Sequence, residues 1–424
     1  MSFYEERKKR TEGFVNDRFG MFIHWGLYAI PSRGEWLRSR EEMTKEDYRQ
    51  YFDEFDPIYY NPKEWAKLAK EAGMKYAVMT TKHHDGFCLF DSEYTDYKAT
   101  NTKAGRDLIA EYAEAFRAEG IKVGFYYSLL DWYHPEYPHY KDEIHPMRNN
   151  EAFKDVKHNF SKYLEYMHNQ VRELLTNYGK IDILWFDFSY PQITGEKWEA
   201  TKLMNMVREL QPDIVVNNRL GGDPLEAEPV IYSGDFTSPE QIIPSYDIVD
   251  KLGRKVPWEV CMTLNDHWGY VSKDKNYKTP KNVVRMLVEC VSKDGNMILN
   301  VGPNAKGEIP KESIEILKEV GRWMHENGES IYGCGKAEAE KPEWGRYTQK
   351  GNKLYAHIYE RGLYANRFDG MEGKFKKARL LSDGSELQLF RPWNSSEFPD
   401  DAFVDLGSAE LPDDIDTVIE FELK

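Results

Sequence analysis

Apolar and polar positions along the chain fall into two textures. Up to about Gly335, short apolar runs of strand length alternate with longer stretches of helical spacing. Residues 22–25, 76–80, 123–127, 181–187, 214–217, 230–232, 258–261 and 297–301 read as strands. Between them lie helical patterns: one opened by Asn61-Pro62 and closed at Gly73, one over 106–119 stopped by Gly120, a long one over 151–178 stopped by Gly179, and others over 198–210, 280–292 and 310–327. Strands that alternate with helices or long loops, about eight times over, predict an α/β fold: a (β/α)8-like (TIM-type) barrel over residues 1–335. Beyond it, residues 355–359, 378–381, 387–390, 403–406 and 418–423 are short strand-like runs separated by turn residues, with no helical period between them. They predict a small antiparallel β-sandwich domain over 336–424, whose first reading is structural, covering one side of the barrel, with carbohydrate binding second.

The fourth strand, Ile181-Asp182-Ile183-Leu184-Trp185-Phe186-Asp187, ends in a carboxylate, and Pro191 soon after prevents its continuation as a central strand. A βα-repeating barrel places its chemistry at that end of its strands. Taken alone, Asp187 reads equally well as a helix N-cap.

Composition narrows the classes. The 424 residues carry a net charge of −15, which opposes binding to nucleic acid, and they show no compensating basic stripe. The first ten residues are charged and lack an apolar stretch, so neither a secretion signal nor a membrane span is read there, and a cytoplasmic protein is expected. Cys88, Cys261, Cys290 and Cys334 are widely spaced and are expected to be free thiols. The 28 Tyr, 21 Phe and 11 Trp suit a site that stacks flat apolar faces, although most aromatics serve ordinary cores.

Candidate chemistry recurs at the strand ends. His24-Trp25 follows the first strand, His83-His84-Asp85 the second, Tyr126 ends the third, Asp187 the fourth, and Asn217-Asn218-Arg219 the fifth; Glu35-Trp36 lies in the first long loop. Each polar group is, singly, as well explained by capping or solvation. Converging on one rim, they would line a pocket for a polyhydroxylated ring, with aromatics against its C–H face and charged groups on its hydroxyls. A rival reading makes His24, His83 or His84 metal ligands with Asp187 in a metal-dependent hydrolase, but the spacing lacks an H-x-H pair and a bridging lysine. The same residues would also fit a non-catalytic sugar-binding protein or a barrel glycosidase acting on another sugar.

Residues 18–26, 82–87, 124–132, 184–187, 217–219, 258–270 and Asn300-Val301-Gly302-Pro303 together resemble the α-L-fucosidases of glycoside hydrolase family 29. The resemblance implies a catalytic barrel followed by a β-sandwich, and retaining hydrolysis of terminal α-L-fucosides without metal or cofactor. The partner implied is a fucose-bearing oligosaccharide or small-molecule substrate, with no nucleic acid and no membrane; homo-oligomerisation is left open. By the same resemblance Asp187 matches the nucleophile, and His24, Glu35, Trp36, His83, His84, Tyr126, Trp185 and Arg219 match positions that hold fucose. The loop Gly234-Asp235-Phe236-Thr237-Ser238-Pro239-Glu240 resembles the one that supplies the acid/base in some members, which points to Glu240 over Glu226, Glu228 and Asp235. The chain has Asn217-Asn218-Arg219-Leu220 where the family commonly has Asn-Asp-Arg-Trp, so the pocket wall beside Arg219 departs from the pattern. Fucose carries a methyl where other hexoses carry a 6-hydroxyl, and Trp185 and Trp268 are the candidates for an apolar wall around it. A retaining pair needs one ionised carboxylate and one protonated carboxyl. Asp187 among histidine and arginine donors suits the first role; Glu240, its pKa raised by burial or a neighbouring negative charge, suits the second.

Overall fold

The computed structural model describes residues 2–360, 366–407 and 410–424. Among them, seven parallel strands form one sheet: β1 (Phe19–Ile23), β2 (Tyr76–Lys82), β3 (Lys122–Ser128), β4 (Ile183–Asp187), β5 (Val215–Val216), β6 (Glu259–Thr263) and β7 (Asn296–Val301). Their spatial order is β5-β4-β3-β2-β1-β7-β6. All residues of β1, β2, β4, β6 and β7 are buried, because helices cover the outer face and packed side chains fill the inner one. That double burial is why these segments read as continuous apolar runs.

The strand expected at residues 230–232 does not form. Those residues turn, with the Ser233 N–H donating to the Val230 carbonyl at 2.9 Å, and Gly234 follows at φ 84°. Residues 235–241 lace β5 to β6 instead. Asn217 bridges Phe236, Thr237 bridges Trp258, and Glu240 bridges Cys261, each in parallel sense. Pro239 has no N–H to give, so the pairing stays a set of single bridges and never becomes a ladder. The curled sheet is thereby joined across its two edge strands, and the joining segment carries Glu240.

Helix positions follow the expected punctuation with trimmed ends. Pro62–Glu71 starts at its proline, and Leu108–Ala118 is capped by the Asp107 carboxylate, which accepts from Ile109 and Ala110 N–H. The long pattern over 151–178 yields a helix only at Phe160–Asn177, preceded by a 3-10 turn at Glu151–Phe153. A helix that the pattern did not announce, Phe3–Asp17, closes the lower end of the barrel. Its Phe14 packs on the Tyr76 and Phe236 rings at 5.4 and 4.8 Å. Most of its residues are charged or polar, so no apolar period betrays it.

The C-terminal part forms a five-stranded antiparallel sheet, in spatial order Phe375–Leu380, Thr417–Leu423, Lys353–Ile358, Gly345–Lys350 and Gly335–Lys336. A second, three-stranded sheet joins Asn366–Phe368, Ala402–Asp405 and Gln388–Leu389. The first sheet's flank packs on barrel helices: Trp323 Nε1 donates to the Asp416 carbonyl at 2.8 Å, and Arg285 Nε to that of Ile415 at 2.9 Å. All four cysteines are buried free thiols. Among the described residues no helix is long and apolar enough to cross a membrane.

Candidate active site

Parallel pairing sets the site in register. Asp187 is the last residue of β4 and pairs with Ser128, while Trp185, two residues earlier on the same face, pairs with Tyr126. His24 lies one residue beyond β1, its N–H donating to the Val301 carbonyl at 3.2 Å. His83 and His84 directly follow β2, and Arg219 stands three residues beyond β5. These strand ends converge on a cavity of about 70 Å³, lined by His24, Trp36, His83, His84, Tyr126, Trp185, Asp187, Arg219, Glu240 and Trp268, together with Phe22, Phe188 and Cys261. Ten of the eleven residues singled out from the sequence meet there. The eleventh, Glu35, is buried behind the lining, where its Oε2 accepts the Gly269 N–H at 3.0 Å, next to Trp268.

Asp187 is held on both oxygens. Tyr126 Oη donates to Oδ2 at 2.7 Å and Arg219 Nη1 to Oδ1 at 2.7 Å, which fixes the carboxylate plane. His84 Nε2 stands 3.6 Å from Oδ2, outside hydrogen-bond range. Arg219 also reaches Glu240: its Nη2 donates to Oε2 at 2.9 Å. One guanidinium thus ties the two candidate catalytic carboxylates together. It lies over the Trp185 ring at 4.5 Å. Burial alone would lower the basicity of Arg219, but Asp187 foremost, with Cys261 and Glu240, holds the guanidinium above its ordinary range.

The three histidines are neutral. Burial lowers His24 to about 4, against a partial pull upward from its bond to Asn300, and holds His83 and His84 well below the usual imidazole range. His24 Nδ1 lies 2.7 Å from Asn300 Oδ1, and Asn300 Nδ2 donates to the Trp268 carbonyl at 2.7 Å. That carbonyl can only accept, so the Asn300 amide orientation is fixed; Nδ1 of His24 carries the hydrogen and Nε2 is left as an acceptor. His84 Nδ1 is anchored on Ser128 Oγ at 2.6 Å. His83 Nδ1 is buried without a protein partner. Neutral rings of this kind exchange hydrogen bonds with sugar hydroxyls. Among the described residues no set of three His, Cys, Asp or Glu side chains converges with metal-ligand geometry.

Glu240 departs from one expectation: its side chain is 43% exposed, at the cavity rim along which the 235–241 segment runs. Its rivals lie elsewhere. Asp235 is buried under Arg10 and Arg208, at 2.8 and 2.6 Å, and accepts the Val216 N–H at 2.9 Å, a bonding pattern that joins the N-terminal helix to β5. Glu226 pairs with Lys251 at 2.6 Å, and Glu228 is exposed; none of the three lines the cavity. Six contributors escaped the sequence reading as site residues, Phe22 and Cys261 in the cavity wall among them. Asn300 and Ser128 orient histidines; Ser238, whose Oγ accepts from Arg219 Nε at 3.2 Å, steadies the guanidinium; Phe188 forms part of the wall at φ 78°. Asn300 and Ser128 lie within motifs already noted, whereas the left-handed backbone at Phe188, directly after Asp187, leaves no trace in sequence.

A sequence profile of the family described as Alpha-L-fucosidase matches residues 4–329. Human plasma alpha-L-fucosidase is 31% identical over 343 residues, covering 75% of this chain and 68% of that protein. Among solved structures, alpha-L-fucosidase isoenzyme 1 from Paenibacillus thiaminolyticus is 64% identical, covers 99% of this chain and 100% of its own, and superposes with a TM-score of 0.98. A GH29 alpha-L-fucosidase from Bacteroides thetaiotaomicron, described as a covalent intermediate trapped with 2-fluoro-fucosyl fluoride in a Glu-to-Gln mutant, is 30% identical over 98% of this chain and 96% of its own, with a TM-score of 0.82.

Proposed function

The chain belongs to the α-L-fucosidase family of glycoside hydrolases, and from that premise we propose that it releases terminal α-L-fucose with retention, by double displacement, through a fucosyl ester on Asp187. The observation that carries this reading is the shared guanidinium: Arg219 holds Asp187 at 2.7 Å and Glu240 at 2.9 Å, so two carboxyl groups are neighbours at the mouth of one cavity. Retaining pairs stand about 5–5.5 Å apart, closer than inverting pairs, which leave room for a water between them. In the first step an Asp187 oxygen bonds to the anomeric carbon as the bond from that carbon to the leaving oxygen breaks, and the Glu240 carboxyl gives its proton to that oxygen. In the second, Glu240 takes a proton from water as the water oxygen attacks the same carbon and Asp187 leaves. Tyr126 and Arg219 keep Asp187 oriented, and Arg219 steadies Glu240 through the exchange of protons. His24, through Nε2, accepts a sugar hydroxyl, and His83 and His84 hold others. Trp185, Trp268 and Phe22 form the apolar wall suited to the fucose methyl.

The experiment is nucleophile replacement. Asp187→Ala should lose several orders of magnitude in kcat while the fold is kept, and azide should restore part of it by entering the vacated space, giving β-fucosyl azide. Near-native activity in Asp187→Ala, or a first-released sugar of β configuration from the native enzyme, contradicts the assignment.

A further inference from the structure

Glu259, on β6, is wholly enclosed inside the barrel. Among the described residues no lysine or arginine pairs with it. Trp185 Nε1 donates to its Oε1 at 3.3 Å, and its Oε2 shares a short hydrogen bond with the Tyr76 hydroxyl. An ionised carboxylate buried without a cation is strongly disfavoured. Burial accordingly pushes Glu259 up to about 8, and the bonds from Tyr76 and Trp185 offset this only in part. Oε1 receives the indole hydrogen and Oε2 the hydroxyl hydrogen of Tyr76.

The three residues come from β2, β4 and β6, and their hydrogen bonds make one layer of contacts inside the barrel. The catalytic residues rest on that layer. The Trp185 ring supports the Arg219 guanidinium at 4.5 Å and lies stacked beside the Tyr126 ring at 5.9 Å. Arg219 and Tyr126 are the two groups that hold Asp187, so the tilt of one indole reaches both of them. The hydrogen bond that fixes that tilt from below ends on Glu259.

We propose that Glu259 is a positioning residue that works as a neutral carboxylic acid, clasping Tyr76 and Trp185 across the barrel so that the indole stays flat beneath Arg219 and Asp187 stays aligned. The inference rests on the assignment of Asp187 as nucleophile and extends it inward by one layer. Among the described residues the titratable and charged groups around Glu259 are few: Tyr76 on β2 with Asp17 and Arg18 beyond it, Cys261 on its own strand, and Arg219 on the far side of the indole, already engaged by two carboxylates. None of them compensates a charge on Glu259. Loss of its proton at alkaline pH therefore disturbs the clasp and the platform together.

The test compares Glu259→Gln and Glu259→Leu with the native enzyme on an aryl fucoside with an activated leaving group. Its kcat/KM reports the first step with little help from the proton donor, so ionisation of Glu240 contributes little to the profile. The native value is expected to fall about tenfold per pH unit above roughly pH 8. Glu259→Gln, which keeps an acceptor for the indole and cannot ionise, should match the native enzyme within a few-fold near neutral pH and stay flat to about pH 9. Glu259→Leu should lose at least about tenfold in kcat at every pH, with KM changed less. Thermal unfolding gives a second readout. The folded-state pKa lies above the unfolded one, so the native protein holds this stabilisation below about pH 4.5 and loses it as pH rises through about 8, whereas the Gln variant does not. The melting temperature of Glu259→Gln minus that of the native enzyme should therefore grow between about pH 5 and 9. A native-like alkaline limb in Glu259→Gln, or native kcat in Glu259→Leu, overturns the proposal. If the Leu variant does not fold, the Gln comparison decides alone. Failure of azide rescue in Asp187→Ala would strike the nucleophile assignment and leave these pH readouts standing, so the two failures are distinguishable.

Discussion

Proton donation at Glu240 is the residue-level claim with the sharpest kinetic signature. The carboxyl leans on Arg219 at the rim and is open to solvent, which suits a group that must meet leaving groups of different shape and later a water. A general acid matters in proportion to how badly the leaving group needs a proton. Glu240→Ala should therefore lose far more kcat/KM on a fucosyl disaccharide, by about 10²–10⁴-fold, than on an activated aryl fucoside. Because the second step loses its base, the aryl substrate should also show a burst. The control is the same pair of measurements on Glu226→Ala, Glu228→Ala and Asp235→Ala. Leaving-group dependence in one of those and not in Glu240→Ala would move the donor.

At the scale of elements, the site is a product of β4 and of the segment that stands in for an eighth strand. The first was legible: the Leu184-Trp185-Phe186-Asp187 run is apolar to its last residue, and burial of β4 on both faces leaves no other reading. The second was not. Residues 230–232 carry the β-type side chains, yet they turn, while the pairing falls to 235–241, whose proline and polar residues hide it. Pattern could not find Glu240 there; the loop's resemblance to a family motif did. Its exposure was likewise out of reach, since burial at a rim depends on what packs above it. Gly234 sets the path of this segment: φ is 84°, and a Cβ there would lie 2.5 Å from the Asn217 carbonyl oxygen. Gly234→Ala should cost about 1–3 kcal/mol in stability and displace Glu240, so its activity should fall more on a disaccharide than on an activated aryl fucoside. A variant with native melting temperature and native disaccharide activity would show that the segment does not depend on that backbone.

The whole molecule stores neutral histidines. His24, His83, His84, His139 and His145 are all buried, with His24 and His139 lowered to about 4 and His145 to about 2, burial being the main cause in each. Their folded pKa values lie below the unfolded one, so the unfolded chain binds protons first as pH falls below about 6.5, and stability is lost from there downward. At about pH 5 each such group costs about 2 kcal/mol relative to neutral pH. The melting temperature should drop between about pH 7 and 5, and the drop should shrink in His145→Gln, a residue outside the cavity. An unchanged drop would mean that His145 already charges in the folded state. At this scale the alternation of strands and helices was readable except between β5 and β6, because elsewhere it is written in apolar period. The N-terminal helix that plugs the barrel was not, because its contribution is made by Phe14 and a few buried residues among many charges.

Retention through Asp187 is the claim on which the account turns, and a slow covalent trap tests it most directly. The enzyme is incubated with 2-deoxy-2-fluoro-α-L-fucosyl fluoride, whose electron-poor ring slows release of the glycosyl-enzyme, and is then digested and mapped by mass spectrometry. One fluorofucosyl group per chain is expected, carried on the peptide that contains Asp187 and absent from Asp187→Ala. A label on another carboxylate, or steady turnover of the fluoride with no labelled enzyme and β-configured product, would contradict it.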